Sequence, residues 1–112
     1  MSKPMDNFKT NFIERYQKSQ ESCRLIEESI NLLESITTES NTDDVINSFM
    51  PTISNYNAHT EESTSVKEIL QEVIDNKRPI SVAIAFLNYL YDVSYYKASR
   101  LLFIQDIFKC YF

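Results

Sequence analysis

The stretch whose reading decides the fold is AIAFLNYLYDVSYYKASRLLFIQDIF, Ala83–Phe108, in which an apolar run meets Asp92-Val93-Ser94 and then resumes. No residue from Ile80 to Tyr91 is charged, so apolar side chains point in every direction around a helix axis, the pattern of a helix surrounded by others. Beyond Ser94, amphipathic spacing returns at Ala98, Leu101, Leu102, Gln105 and Phe108, with Lys97, Arg100 and Lys109 on or near the other side. This predicts a central helix over 80–92 and a closing helix over 94–110. Nine of the fourteen aromatics fall between Phe86 and Phe112, so the pair is expected to form a buried, aromatic-rich hairpin. Ile84, Leu87 and Leu90 should be almost fully buried, and so should at least half of Phe86, Tyr89, Tyr91, Tyr95 and Phe103.

The same stretch admits a helix-turn-helix reading over residues 87–102. Leu87, Leu90, Tyr91, Val93, Ser94, Ala98, Leu101 and Leu102 occupy anchor-like positions, and Tyr95, Tyr96, Lys97 and Arg100 would then point at DNA. Asp92 stands where that turn prefers Gly, and Asn88 where a small apolar residue lets the helices approach. Two cations in a protein of net charge -5 are a poor match to phosphate, so this remains the alternative reading.

Outward from there, Phe12, Tyr16, Ser19, Cys23, Ile26, Ile30 and Leu33 recur at alternating spacings of four and three, a heptad seam with one polar member. It predicts one long helix over 6–36, with Asp6 as N-cap, Phe8 extending the stripe and residues 1–5 frayed. Leu25, Leu32 and Ile36 add apolar surface to its second half, which should be the more buried. A second helix is expected over 42–57, started by Thr42 with Asp43 and Asp44 in the first turn and kinked or split at Met50 by Pro51. A polar loop carrying His59 follows. Ser65 with Glu68 reads as a capping box opening a helix over 65–76, closed where Asn76 can take the left-handed conformation. The fold class is therefore an all-α compact bundle of four to five helices in a single domain spanning residues 1–112.

Composition narrows the function. At 43% hydrophobic and 24% charged, the sequence has the balance of a globular protein. It contains no glycine, which removes phosphate-cradling loops and close backbone approaches to a ligand. The single histidine, His59, reads as a solvated loop residue. The acid pairs Glu27–Glu28, Asp43–Asp44 and Glu61–Glu62 are sequence neighbours that diverge by about 100° on a helix, so they read as solvated charge and not as catalytic dyads. Cys23 and Cys110 lack metal-ligand spacing and are expected as reduced core thiols, a Cys23–Cys110 bridge being the alternative. No catalytic residue, metal or cofactor is expected.

Charge is uneven along the sequence. Residues 1–76 hold fourteen acids against six bases, and residues 77–112 two acids against five bases. No signal-peptide h-region is present, and the longest uncharged run is shorter than a membrane span, so a protein that is cytoplasmic, or intracellular in a host, and without membrane contact is expected. The reading is a small acidic protein-binding module, regulatory, inhibitory or adaptor-like, that acts through helix faces. Its candidate interface residues are Phe8, Phe12, Tyr16, Tyr95, Tyr96 and Tyr111. The expected partner is another protein, with self-association through the N-terminal seam as a variant; nucleic acid is not favoured.

Overall fold

The computed structural model describes residues 4–36 and 41–111, with side chains described for 11–36 and 41–103. Four α-helices and one 3-10 segment make up the described part of the protein, and no strand is found among those residues: α1 Pro4–Glu34, α2 Thr42–Phe49, the 3-10 segment Met50–Asn55, α3 Thr60–Ile74 and α4 Ile80–Tyr111.

The largest departure from expectation is α4, a single 32-residue helix that runs unbroken through Asp92-Val93-Ser94. None of these three residues forbids a helix interior, and each costs under about 1 kcal/mol there relative to Ala. Packing decides the matter. Ala83, Leu87, Ser94 and Ala98 are buried at spacings of four, seven and four, so one helical face continues straight across the supposed break. The predicted hairpin of two helices is therefore one rod. The turn that a helix-turn-helix unit needs between residues 87 and 102 is absent.

α1 and α4 form the most extensive helix pair. They run antiparallel: Phe12 and Arg15 share a groove with Arg100 and Leu101, whereas Glu27 lies by Tyr91. The buried face of α1 carries Ser19, Ser22, Leu25, Ile26, Ser29 and Leu33, and α2, the 3-10 segment and α3 close the core with Ile46, Ile53, Val66, Leu70 and Val73. The N-terminal seam is thus used inside the protein from Ser19 onward. Its earlier members Phe12 and Tyr16 are half-buried, as the pattern predicted for the first half.

Ends of helices follow local chemistry. Asn41, one residue before the expected Thr42, caps α2 by accepting the Asp44 N–H at 3.3 Å, and Asp43 and Asp44 sit in the first turn. Pro51 splits the predicted second helix as expected, and the continuation is the 3-10 segment. α1 is already helical at Pro4, so Asp6 lies inside it and does not cap it.

α3 starts at Thr60, five residues before the predicted capping box. The reason is tertiary: the His59 N–H donates to the Ser22 hydroxyl of α1 at 3.1 Å, fixing the helix start from outside its own sequence. At the other end Asn76 adopts φ 59°, and the Lys77 and Asn76 N–H groups bond to the Glu72 and Val73 carbonyls at 2.9 and 3.1 Å. This is a Schellman closure with asparagine where glycine is usual.

Burial corrects the aromatic expectation. Phe86, Tyr89, Tyr95 and Phe103 are exposed and Tyr91 is half-buried. Leu87 is fully buried, but Ile84 and Leu90 only partly so. α4 is covered on the side of α1 and α3, and no helix or 3-10 segment among the described residues packs on its outward side. Cys23 is a free, half-buried thiol; burial first, then Glu27 and Glu62, push its pKa up. The Cys110 side chain lies outside the described residues.

Two measurements check this architecture. In urea denaturation Leu87→Ala should cost about 2–5 kcal/mol by opening a core cavity, while Tyr89→Ser on the outward side should stay within about 0.5 kcal/mol. The Tyr56 hydroxyl donates to Glu28, and desolvation, followed by that bond and that charge, pushes its pKa up to about 12. The folded state thus holds a proton that the unfolded state releases near pH 10. The associated stability is complete below about pH 10 and is lost as pH rises through about 12. Tyr56→Phe should flatten that alkaline loss when melting is followed between these pH values.

Candidate functional site

Two features remain once the core is assigned. The first is a stripe on α4. Val82, Phe86, Tyr89, Val93, Tyr96, Arg100 and Phe103 follow one another at spacings of four and three, a heptad seam on the side of α4 turned away from α1. Such a seam is about 32 Å long at 1.5 Å per residue. Tyr89 is 70% exposed, Phe103 67% and Tyr96 64%; only Val93 is half-buried. Val82, Ala85, Phe86 and Tyr89 line a shallow, almost wholly apolar depression near its start.

Two guanidinium groups lie over the rings of this stripe. Arg78 stands 4.5 Å from the centroid of Phe86 and Arg100 5.9 Å from that of Tyr96. Arg78 also bonds to Glu72 at its far side. Arg100 has no ion-pair partner among the described residues. Among the described residues the seam therefore carries one cation without an ion-pair partner and no carboxylate of its own, with the exposed Asp92 standing beside it.

The second feature is a polar groove of about 570 Å³ where the first half of α1, the start of α3 and the second half of α4 meet. Ser19, His59 and Glu62 lie at its base, Arg15, Lys97 and Arg100 supply cations, and Phe12 and Leu101 are apolar walls. His59 Nε2 lies 3.3 Å from the Ser19 hydroxyl, so this histidine is docked on α1 and is not the solvated loop residue its surroundings in sequence suggest. Glu62 is only 3% exposed, against the expectation of solvated charge. Its Oε1 accepts from Lys97 at 3.0 Å, and its Oε2 has no hydrogen-bond partner among the described residues.

The candidate interface residues are divided by this geometry. Tyr96 belongs to the exposed stripe. Tyr95 lies on the α1 side of α4, its ring stacked on Tyr91 at 6.2 Å, and shares a groove with Tyr16, whose hydroxyl accepts from Gln20. Phe12 lines the polar groove. The side chains of Phe8 and Tyr111 lie outside the described residues. Of the four residues assigned to DNA contact, Tyr95 and Tyr96 diverge around the helix, Lys97 is held by Glu62, and Arg100 lies on Tyr96. Phe86, Tyr89 and Phe103 were missed as surface residues, although the four-three spacing from Val82 was present in the sequence; Ser19, His59 and Glu62 converge only through the tertiary fold.

No group of three or more metal-ligating side chains is assembled among the described residues, and no helix there is long and apolar enough to cross a membrane. No protein-family model matches the sequence, and neither the curated proteins nor the solved structures compared with it include a significant match.

The Glu62–Lys97 pair gives a direct check on the groove. Removing the cation with Lys97→Met strands a buried carboxylate and should cost about 1–3 kcal/mol, a value kept low because Lys97 is itself half-exposed to screening solvent. Adding Glu62→Gln to that variant should recover most of the loss in urea denaturation. Equal stability of the wild type and Lys97→Met would show that the pair does not hold the groove.

Proposed function

We propose that this protein is a non-catalytic protein-binding module that docks an acidic amphipathic helix of another protein along the α4 stripe. The observation that carries the reading is the heptad-spaced apolar seam left facing solvent, because large contiguous apolar patches rimmed by polar residues are characteristic of interaction surfaces. Tyrosine suits such a surface, each ring bringing a broad apolar body and a polar tip.

Charge selects the occupant. Two copies paired through this seam would bury two Arg100 guanidiniums without a seam carboxylate to meet either, and an unpaired buried charge costs several kcal/mol. A partner helix with Leu-type residues on one face and carboxylates at its edges supplies both the apolar area and the counter-ions. A regulatory, inhibitory or adaptor role is consistent with a module of this size that recognises one helix.

Fluorescence anisotropy tests this with two designed 24-residue helical peptides, both with Leu at the seam positions, one flanked by Glu and the other by Lys. The Glu-flanked peptide should bind the full-length protein at least about tenfold more tightly than the Lys-flanked one. Phe86→Ser with Tyr89→Ser should abolish the difference while leaving the melting temperature nearly unchanged. Equal binding of both peptides, or sedimentation showing a dimer that this double variant dissociates, would overturn the acidic-helix reading, the latter in favour of a second copy.

A further inference from the structure

We infer that the polar groove between α1, α3 and α4 is a ligand site for a carboxylate with a neighbouring N–H donor, the chemistry shared by a free amino acid and the C-terminal residue of a polypeptide. The argument does not rest on the α4 stripe, with which the groove shares only Arg100.

The carboxylate half of the ligand is specified by the start of α3. The first residues of a helix leave their N–H groups without intrahelical acceptors, and the helix dipole places partial positive charge there. In α3 the His59 N–H is taken by Ser22 and the Ser63 N–H by the His59 carbonyl. The His59 side chain does not cap the helix. The N–H groups of Thr60, Glu61 and Glu62 thus have no acceptor among the described residues, and these three residues line the groove. Arg15 and Arg100, both exposed and neither in an ion pair among the described residues, stand on its walls. A guanidinium and free helix N–H groups together are a carboxylate receptor. Glu61, exposed at the rim, opposes this in part, and Lys97 is committed to Glu62.

The donor half is specified independently by Glu62. This side chain is almost wholly buried at the groove base; Oε1 is met by Lys97, while Oε2 is closed to solvent and lacks any donor among the described residues, so a ligand N–H meets it as the carboxylate turns toward the groove. A buried carboxylate oxygen left unpaired carries a desolvation penalty that a ligand N–H removes. A simple anion cannot do this, since it would place like charge beside Oε2. A ligand carrying both groups on adjacent atoms satisfies α3 and Glu62 together, and Phe12 and Leu101 offer an apolar wall for its side chain.

Four probes titrated into the ¹⁵N-labelled full-length protein separate these requirements: L-leucine, N-acetyl-L-leucine, leucinamide and 4-methylpentanoate. L-leucine and N-acetyl-L-leucine should shift the Thr60, Glu61 and Glu62 amide signals saturably. Leucinamide, lacking the carboxylate, and 4-methylpentanoate, lacking the N–H, should bind at least about tenfold more weakly. Tighter binding of L-leucine assigns the site to free amino acids, and tighter binding of N-acetyl-L-leucine assigns it to polypeptide C-termini. Arg100→Ala and Arg15→Ala, substitutions at exposed positions that the core does not use, should each weaken both binders, and Glu62→Gln should weaken L-leucine more than its acetylated form. Phe86→Ser with Tyr89→Ser should change neither, which separates this site from the stripe. Equal binding of 4-methylpentanoate would reduce the groove to an anion site and overturn the inference, as would the absence of a saturable shift with all four probes.

Discussion

The approach of α1 to α4 governs everything else in this protein, and it depends on small side chains. Ser19, Ser22 and Ser29 lie on the buried face of α1, and Ala83, Ser94 and Ala98 on that of α4. Larger residues at these positions would separate the helices and open voids that a close-packed interior does not tolerate. Two of the buried serines solve their own polar problem locally, whereas the Ser94 hydroxyl has no hydrogen-bond partner among the described residues. Ser22 and Ser29 donate to the Lys18 and Leu25 carbonyls one turn back, at 2.9 and 2.8 Å. Ser22 does more, since its oxygen also accepts from His59 and so places the first turn of α3. Through that one hydroxyl, the α1–α4 packing also determines where α3 starts and where the polar groove lies.

Much of the secondary structure was legible in the sequence because it rests on local chemistry. The four-three spacing of α1, the two aspartates opening α2, the break at Pro51 and the left-handed Asn76 each follow from a residue's own preferences. What was not legible depended on partners distant in sequence. The start of α3 at Thr60 is set by a bond to α1, and local capping signals at Ser65 and Glu68 were outweighed by it. The supposed break at Asp92 had no true helix breaker, and the burial of Ala83, Leu87, Ser94 and Ala98 on one face overrode weak propensities. An uncharged run over 80–91 suggested a helix enclosed on all sides. Hydrophobicity alone does not distinguish an enclosed helix from one that presents a second apolar face to solvent.

Glu14, Glu27, Glu28 and Glu34 are exposed along α1, whereas the outward face of α4 is aromatic, with cations and the exposed Asp92 at its border. The guanidiniums of Arg78 and Arg100 lie over aromatic rings, an arrangement worth about 0.5–1 kcal/mol at exposed sites that also covers part of the apolar face with charge.

The pairing of α1 with α4 also has a consequence for the order of events during synthesis. α1 is made first of the four helices and α4 last, with residues 35–79 between them. At about 5–20 residues per second, several seconds separate the two on the ribosome. During that interval Leu25, Ile26 and Leu33 have no α4 to cover them, while the shorter-range contacts of α2, the 3-10 segment and α3 can already form. Closing the intervening loop adds only a slowly growing entropic cost. The nascent α1 bears its longest exposure with a face diluted by three serines, two of whose hydroxyls turn back onto carbonyls of the same helix in the folded protein.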